Sequence, residues 1–422
     1  MKKLSNKKLL VIGVEENESI IQAAHEMGVY VILIDRNADK INSLAKEMAD
    51  EIWTMDYSDI ESVSKKCIEE NVSGVIAGYS EFKVLYAAKI SEKIGLPFYA
   101  TPEQIEITRN KRKFKDLCIK YGVPIAKDYC FSKFNNDEEM ENVKFPLIVK
   151  PTDYAGCKGI TVCNNHSELI ESVNYALKYS ESGTIICEEY IKGTEIMVIY
   201  TIADGKISLS SVGEKYISQD HDGIAGLCDC ALAPSKYLDV YLEQADSSIR
   251  KLMEGIGIKN GVAFFQGIAT KDNVKIFEMG YRLNGNNDCK IIEKYNGINY
   301  MKMLISYSLT GSMGDDLTKD NPRFSKTLCT LCTYLNEGTV GKVNYDKIVD
   351  NPNIDDIYSY AYVGKVISNE DSSQRRGIFV KINADSIDEI KKVINYVQAN
   401  IEVLDVNGNN MLFKPFDANR LT

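Results

Sequence analysis

No apolar run in this 422-residue chain approaches the ~20 residues that a bilayer crossing needs, which argues against a membrane as a partner. A basic surface is missing too. Lys and Arg number 50 against 60 Asp and Glu, a formal net charge of −10, so nucleic acid is disfavoured for want of counterion-releasing positive charge. Histidine is scarce. His25, His166 and His221 are the only three, and none lies at ligand spacing from the closest cysteine pairs, Cys228-x-Cys230 and Cys329-x-x-Cys332, so a zinc site is not expected. The eleven cysteines are an odd number scattered through apparent strands and helices, and read as small buried hydrophobes in a reducing compartment. Behind the basic N-terminus, the apolar stretch 9–14 is too short for a signal-peptide core, and a cytoplasmic location is expected. With 44% hydrophobic and 26% charged residues, disorder is excluded as well.

What is present alternates. Strand patterns at 9–14, 29–35 and 74–78 are separated by helical ones at 19–27, 59–70 and 81–94, which predicts a parallel sheet covered on both faces. Asp35 stands where a ribose-binding carboxylate would close a dinucleotide fold. The turn Gly13-Val14-Glu15-Glu16-Asn17-Glu18, however, is not G-x-G-x-x-G, and its carboxylates would repel a pyrophosphate. A structural βαβ unit is expected there, not an NAD site. Further on, a basic helix over 111–120 ends at Gly122, a C-cap glycine with Pro124 behind it. Strands follow at 146–151, 160–163, 185–191, 195–202 and 206–212, with helices at 167–179 and 237–255. A hairpin joins 261–270 to 273–279, 314–322 reads as a linker, and a last helix covers 386–399.

The middle third carries the chemistry. Lys150 ends an apolar strand and meets the small-residue loop Asp153-Tyr154-Ala155-Gly156-Cys157-Lys158-Gly159. An ammonium beside such a loop can clamp triphosphate oxygens, although this is not the G-x-x-x-x-G-K-[ST] of a P-loop. The run Glu188-Glu189-Tyr190-Ile191-Lys192-Gly193-Thr194-Glu195 can hydrogen-bond adenine along its backbone and ribose hydroxyls through Glu195. Gln266 and Glu278 fall on neighbouring strands, and oxygen ligands from such positions suit Mg²⁺, which takes one or two protein groups plus phosphates and water.

In this order the segments resemble the ATP-grasp superfamily, the fold of D-alanine–D-alanine ligase, biotin carboxylase and the carbamoyl phosphate synthetase large subunit. The tail, with Leu335-Asn336-Glu337-Gly338-Thr339-Val340, looks like that of bacterial L-amino-acid ligases. The resemblance implies an α/β, three-part architecture: a pre-ATP-grasp domain over 1–105, an ATP-grasp domain over 106–315 with a mobile lid at about 126–195, and a C-terminal ligase-type α+β domain over 316–422. It assigns Lys111 and Lys150 to phosphates, and Gly156, Lys158 and Gly159 to the loop over them. Glu188, Glu189, Tyr190 and Ile191 become the adenine-binding run, with Glu188 on the amino group. Glu195 takes the ribose, Gln266 and Glu278 the metal, and Arg282 the γ-phosphate and the nascent acyl phosphate. An alternative role for Arg282 is a structural pair with a carboxylate such as Glu278.

Two positions depart from the commoner pattern: Gln266 stands where many relatives have an acid, and Gly280 where many have a metal-binding asparagine, with Asn284, Asn286 or Asn287 as substitutes. The function implied is an ATP-dependent carboxylate–amine ligase using ATP with Mg²⁺ or Mn²⁺. Its partners would be a small carboxylate and an amine, and the resemblance leaves room for a homodimer. The rivals are a bicarbonate-phosphorylating carboxylase or carbamoyl-phosphate-type enzyme and, from another class, a non-catalytic ATP-binding regulator.

Overall fold

A computed structural model describes residues 4–14, 17–37, 43–129, 143–153, 159–218, 227–285, 288–314, 317–368 and 375–422. Strands β1 (Lys8–Ile12), β2 (Tyr30–Asp35), β3 (Glu51–Thr54) and β4 (Gly74–Ile76) form a parallel sheet in the order β3-β2-β1-β4. Leu9 to Ile12 and Val31 to Ile34 are wholly buried, as continuous apolar strands covered on both faces must be. Asp35 is engaged by the buried Lys46 at 2.6 Å. Strand β3 carries no apolar run, and only Trp53 of it is buried, so the sequence pattern passes over it.

The connection to the next sheet is set by caps. Thr101 and Gln104 close a capping box on the helix Pro102–Arg109. Asn110 ends that helix and starts the next, its side chain accepting from the Arg112 and Lys113 N–H groups at 3.1 Å each. Lys111 is thereby held in the first turn of Lys111–Tyr121, which stops at Gly122 with φ +72°.

Strands β5 (Leu147–Pro151), β6 (Thr161–Cys163) and β7 (Ile185–Glu189) make a small antiparallel sheet, ordered β6-β5-β7 and backed by the helix His166–Tyr179. It has its own core of Leu147, Val149, Cys163, Leu169, Val173, Ala176 and Cys187.

The remaining strands are β8 (Thr194–Ala203), β9 (Lys206–Ile217), β10 (Cys228–Ala233), β11 (Gly261–Ala269), β12 (Val274–Gly280), β13 (Thr327–Tyr334), β14 (Gly338–Asn344), β15 (Ile354–Ser359), β16 (Val366–Ile367), β17 (Arg376–Ala384) and β18 (Glu402–Asp405). Eight of them build one sheet, β12-β11-β8-β9-β10-β13-β17-β15, while β16-β14-β18 form a three-stranded one. The eight-stranded sheet therefore runs straight across the boundary expected near residue 315. Beside that boundary, the stretch read as a linker is tied down: Asp320 accepts from Ser210 at 2.6 Å and from Asn296 at 2.7 Å. The helices Cys289–Asn296 and Tyr300–Thr310 are additions to the sequence reading. The second is buried at eight of its eleven positions and so lacks the one-sided pattern that reveals a surface helix. Among the described residues, no helix is long and apolar enough to cross a membrane.

Candidate active site

Strand register brings the candidate ligands to one face. Gln266 lies opposite Glu278 on β12 and opposite Met197 on β8, and Glu195, two residues before Met197, lies opposite Lys215 on β9. Side chains alternate along a strand, so Glu278, Gln266, Glu195 and Lys215 project from the same side of the sheet. Their contacts differ sharply. Lys215 donates to Glu195 Oε1 at 2.5 Å and to Gln266 Oε1 at 3.2 Å. Burial works against its charge, yet Glu195, Cys228 and Glu278 hold its pKa above the ordinary lysine value. Glu278 makes no hydrogen bond or ion pair among the described residues. Burial pushes its pKa up and Glu81 adds to this, while Lys111, Arg282 and Lys215 oppose.

The small sheet supplies the facing wall. Lys150 on β5 donates to Glu188 Oε2 on β7 at 3.0 Å, and Lys115 grips the other oxygen, Oε1. Lys115 and Glu188 are 4% and 5% exposed, so this is a buried charge cluster; Asp128 lies 3.7 Å from Lys115 and is itself paired with Arg112. Burial raises the Glu188 pKa, but Lys150 and Lys115 overcome it and hold the carboxyl below the ordinary range. Lys150 also sits over the Phe277 ring, 5.1 Å from its centre.

Two recesses meet here. Phe114, Ile125, Ile186, Ile276 and Phe277 line an apolar one, ringed by Lys111, Lys115, Lys150 and Glu188. Its neighbour shares Lys111 and Phe114 and is mixed, with Glu81, Arg109, Asp153 and Glu278 beside Phe82 and Met279. Tyr190 and Ile191 lie beyond the end of β7 and outside the walls of the apolar recess. The Tyr190 N–H is already bonded to the Pro146 carbonyl at 3.0 Å. Glu189 accepts from the Lys127 N–H at 2.9 Å, a structural role at the strand edge. Gly159 takes φ +77° with Tyr179 and Pro151 crowding any Cβ. Gly156, Lys158, His221, Asn286 and Asn287 lie outside the described residues.

Arg282 pairs with Glu81, not with Glu278: Nε is 2.6 Å and a terminal nitrogen 2.5 Å from Glu81 Oε1, and a further N–H reaches the Leu283 carbonyl at 2.7 Å. Its guanidinium lies 4.9 Å from the centre of the Phe264 ring. That ring also explains Gly280, because a Cβ there would stand 2.3 Å from the Phe264 edge. Asn284 does not compensate for the missing asparagine, since it donates to Asp288 at 2.8 Å and accepts from Tyr300 at 3.0 Å. Gly280→Ala should cost about 1–3 kcal/mol by overpacking. Urea unfolding checks it, and an unchanged midpoint would show that Phe264 yields freely.

Three participants escape the sequence reading. Lys115 had a signal, since it follows Lys111 by four helical residues and so shares its face. Lys215 lies where polar residues interrupt the apolar pattern of β9, past the expected strand end at 212. Glu81 gives no local sign, being 201 residues from Arg282.

As for a metal, no three Asp, Glu, His or Cys side chains converge among the described residues. A lone unpartnered carboxylate facing a mixed recess suits Mg²⁺, which draws its other ligands from phosphate and water.

Residues 109–282 match the family described as phosphoribosylglycinamide synthetase, ATP-grasp (A) domain. Among curated proteins, a formate-dependent phosphoribosylglycinamide formyltransferase of Prochlorococcus marinus subsp. pastoris is 28% identical over 272 residues, 61% of this chain. The match spans 66% of that protein, just under two thirds of its length. Two solved structures share the fold over nearly their whole length. Phosphoribosylglycinamide synthetase from Anaerococcus prevotii has a TM-score of 0.76 at 21% identity, over 94% of this chain and 99% of that one. L-amino acid ligase from Bacillus licheniformis has a TM-score of 0.76 at 18% identity, over 95% and 99%.

Proposed function

We propose, from the premise that this chain belongs to the ATP-grasp superfamily, that it is an ATP-dependent ligase joining a carboxylate to an amine through an acyl phosphate. One observation carries the reading. The apolar recess ringed by Lys111, Lys150 and Glu188 opens beside Glu278, whose carboxylate has no partner among the described residues.

Adenine would fill the slot between Ile186, Ile276 and Phe277, its amino group donating to Glu188. Lys150 is bonded to Glu188 and would turn to the triphosphate on binding. Lys115 would stay behind, so that Glu188 is never left as an unpaired buried charge. Lys111, fixed in the first turn of its helix, would meet the phosphates from the other side. Glu278, with Gln266 opposite, would hold Mg²⁺ or Mn²⁺, which neutralises phosphate oxygens. Arg282, braced by Glu81 and Phe264, offers a planar cation to charge developing on the transferring phosphoryl group. The carboxylate oxygen takes the γ-phosphoryl and ADP departs; the amine then attacks the acyl carbon and phosphate leaves. Catalysis is mostly positioning and charge neutralisation. An apolar recess along Met197, Ile199, Ala231, Ile291 and Leu328, edged by Lys215 and Asp288, is where an organic substrate would lie.

The test is a matrix of carboxylates and amines scored for ADP release with Mg²⁺. ADP and phosphate in equal amounts, dependent on both an acid and an amine, are expected. AMP and pyrophosphate would overturn the acyl phosphate, and bicarbonate-dependent ADP release without an organic acid would point to a carboxylase. ATP binding with no turnover on any pair would favour a regulator.

A further inference from the structure

We propose that the centre holds a single divalent cation, on Glu278, and that the Lys215 ammonium stands in for a second one. The inference rests on the ATP-ligase reading above and concerns how its charge is supplied.

The donors for a second cation are absent or spoken for among the described residues. Gln266, directly opposite Glu278, presents a neutral amide whose oxygen already accepts from Lys215 at 3.2 Å. Position 280 is a glycine whose Cβ site is taken by Phe264, and Asn284 is bonded at both ends of its amide. What lies beside Gln266 is a cation. Lys215 reaches it across β8, held by Glu195 at 2.5 Å on the same face of the sheet.

Charge makes the exchange coherent. A divalent ion on Glu278 contributes one net positive charge; Lys215, paired with Glu195, adds little net charge but sets an ammonium N–H where a second ion would stand. Gln266 and Lys215 therefore belong together. A glutamate at 266 would put a second carboxylate on Lys215, which Glu195 already neutralises, and a second divalent ion beside Lys215 would meet like charge with no protein carboxylate of its own, only phosphate oxygens. An ammonium has three N–H donors. Two are used by Glu195 and Gln266, and the third has no protein acceptor among the described residues, which leaves it for a phosphate oxygen.

The experiment counts metal ions. Mn²⁺ is titrated by electron paramagnetic resonance into the whole protein saturated with a non-hydrolysable ATP analogue. The parent should hold one Mn²⁺ per bound nucleotide. Lys215→Met should lower ADP release ~10²–10³-fold, as loss of a preorganised donor to developing charge does. Adding Gln266→Glu to Lys215→Met should bring the count to two and restore part of the rate. Two Mn²⁺ per nucleotide in the parent would overturn the inference, and this count needs no variant. A double variant that binds nucleotide with one Mn²⁺ would also overturn it. If the parent binds no nucleotide at all, the ATP-ligase reading itself fails and takes the inference with it.

Discussion

Glu278→Ala should abolish ADP release, by ~10³-fold or more, while leaving the protein folded and no less stable. The two halves of this expectation have separate causes. Among the described residues the carboxylate bonds to nothing, so its removal breaks no ion pair and strands no partner. Burial already works against its charge, with Glu81 adding repulsion, so the folded state is relieved if anything. Activity has no such reserve. Gln266 is neutral and its oxygen already accepts from Lys215, so the amide alone would hold the proposed metal poorly. A coupled assay for ADP and a thermal melt without ligand measure the two effects. A variant retaining a tenth of parental turnover would remove Glu278 from the metal site.

The largest effect on stability is expected from Lys115→Met, about 3 kcal/mol by urea unfolding, because it strips a partner from a buried carboxylate. Lys150 remains on Glu188 and keeps the loss from being greater. Lys150→Met should show the opposite balance: a milder loss of stability, since Lys115 still neutralises Glu188, and a larger loss of ATP affinity. The acid limb of the stability curve tests the same cluster. Glu188 has its pKa lowered in the folded state, because its two lysines outweigh burial. Its contribution is therefore complete above the ordinary carboxylate range and disappears as pH falls through the folded value. The parent's advantage over Lys115→Met should shrink below about pH 4. A gap that stays constant into acid would mean that Lys115 acts through packing alone.

Much of this was legible in one dimension. The hairpin that sets Gln266 opposite Glu278 announces itself as two apolar runs about a polar turn, and Asn110 and Gly122 punctuate the helix that carries Lys111. Local signals of that kind survive because the backbone reads them locally. Lys215 was lost because a strand covered on both faces tolerates Gly213-Glu214-Lys215, with Glu214 buried and bonded to Ser235, Lys236 and Tyr216, while pattern reading expects alternation with apolar residues. The Arg282–Glu81 pair was lost for a simpler reason: nothing near either residue encodes a partner 201 positions away. The stretch 314–322 reads as a linker, whereas Asp320 ties it down through two hydrogen bonds.

The unbroken eight-stranded sheet limits how this chain can be cut or recombined. Between β10 and β13 the seam is an ordinary antiparallel ladder, Cys230 facing Leu331 and Leu232 facing Cys329. A graft of another tail after residue 323 would have to bring a strand of matching register. Without one, β10 becomes a raw edge inviting a neighbouring molecule to pair. The small sheet of β5 to β7 has a private core, whereas the core of the last hundred residues also takes in Tyr216, Cys230 and Leu232.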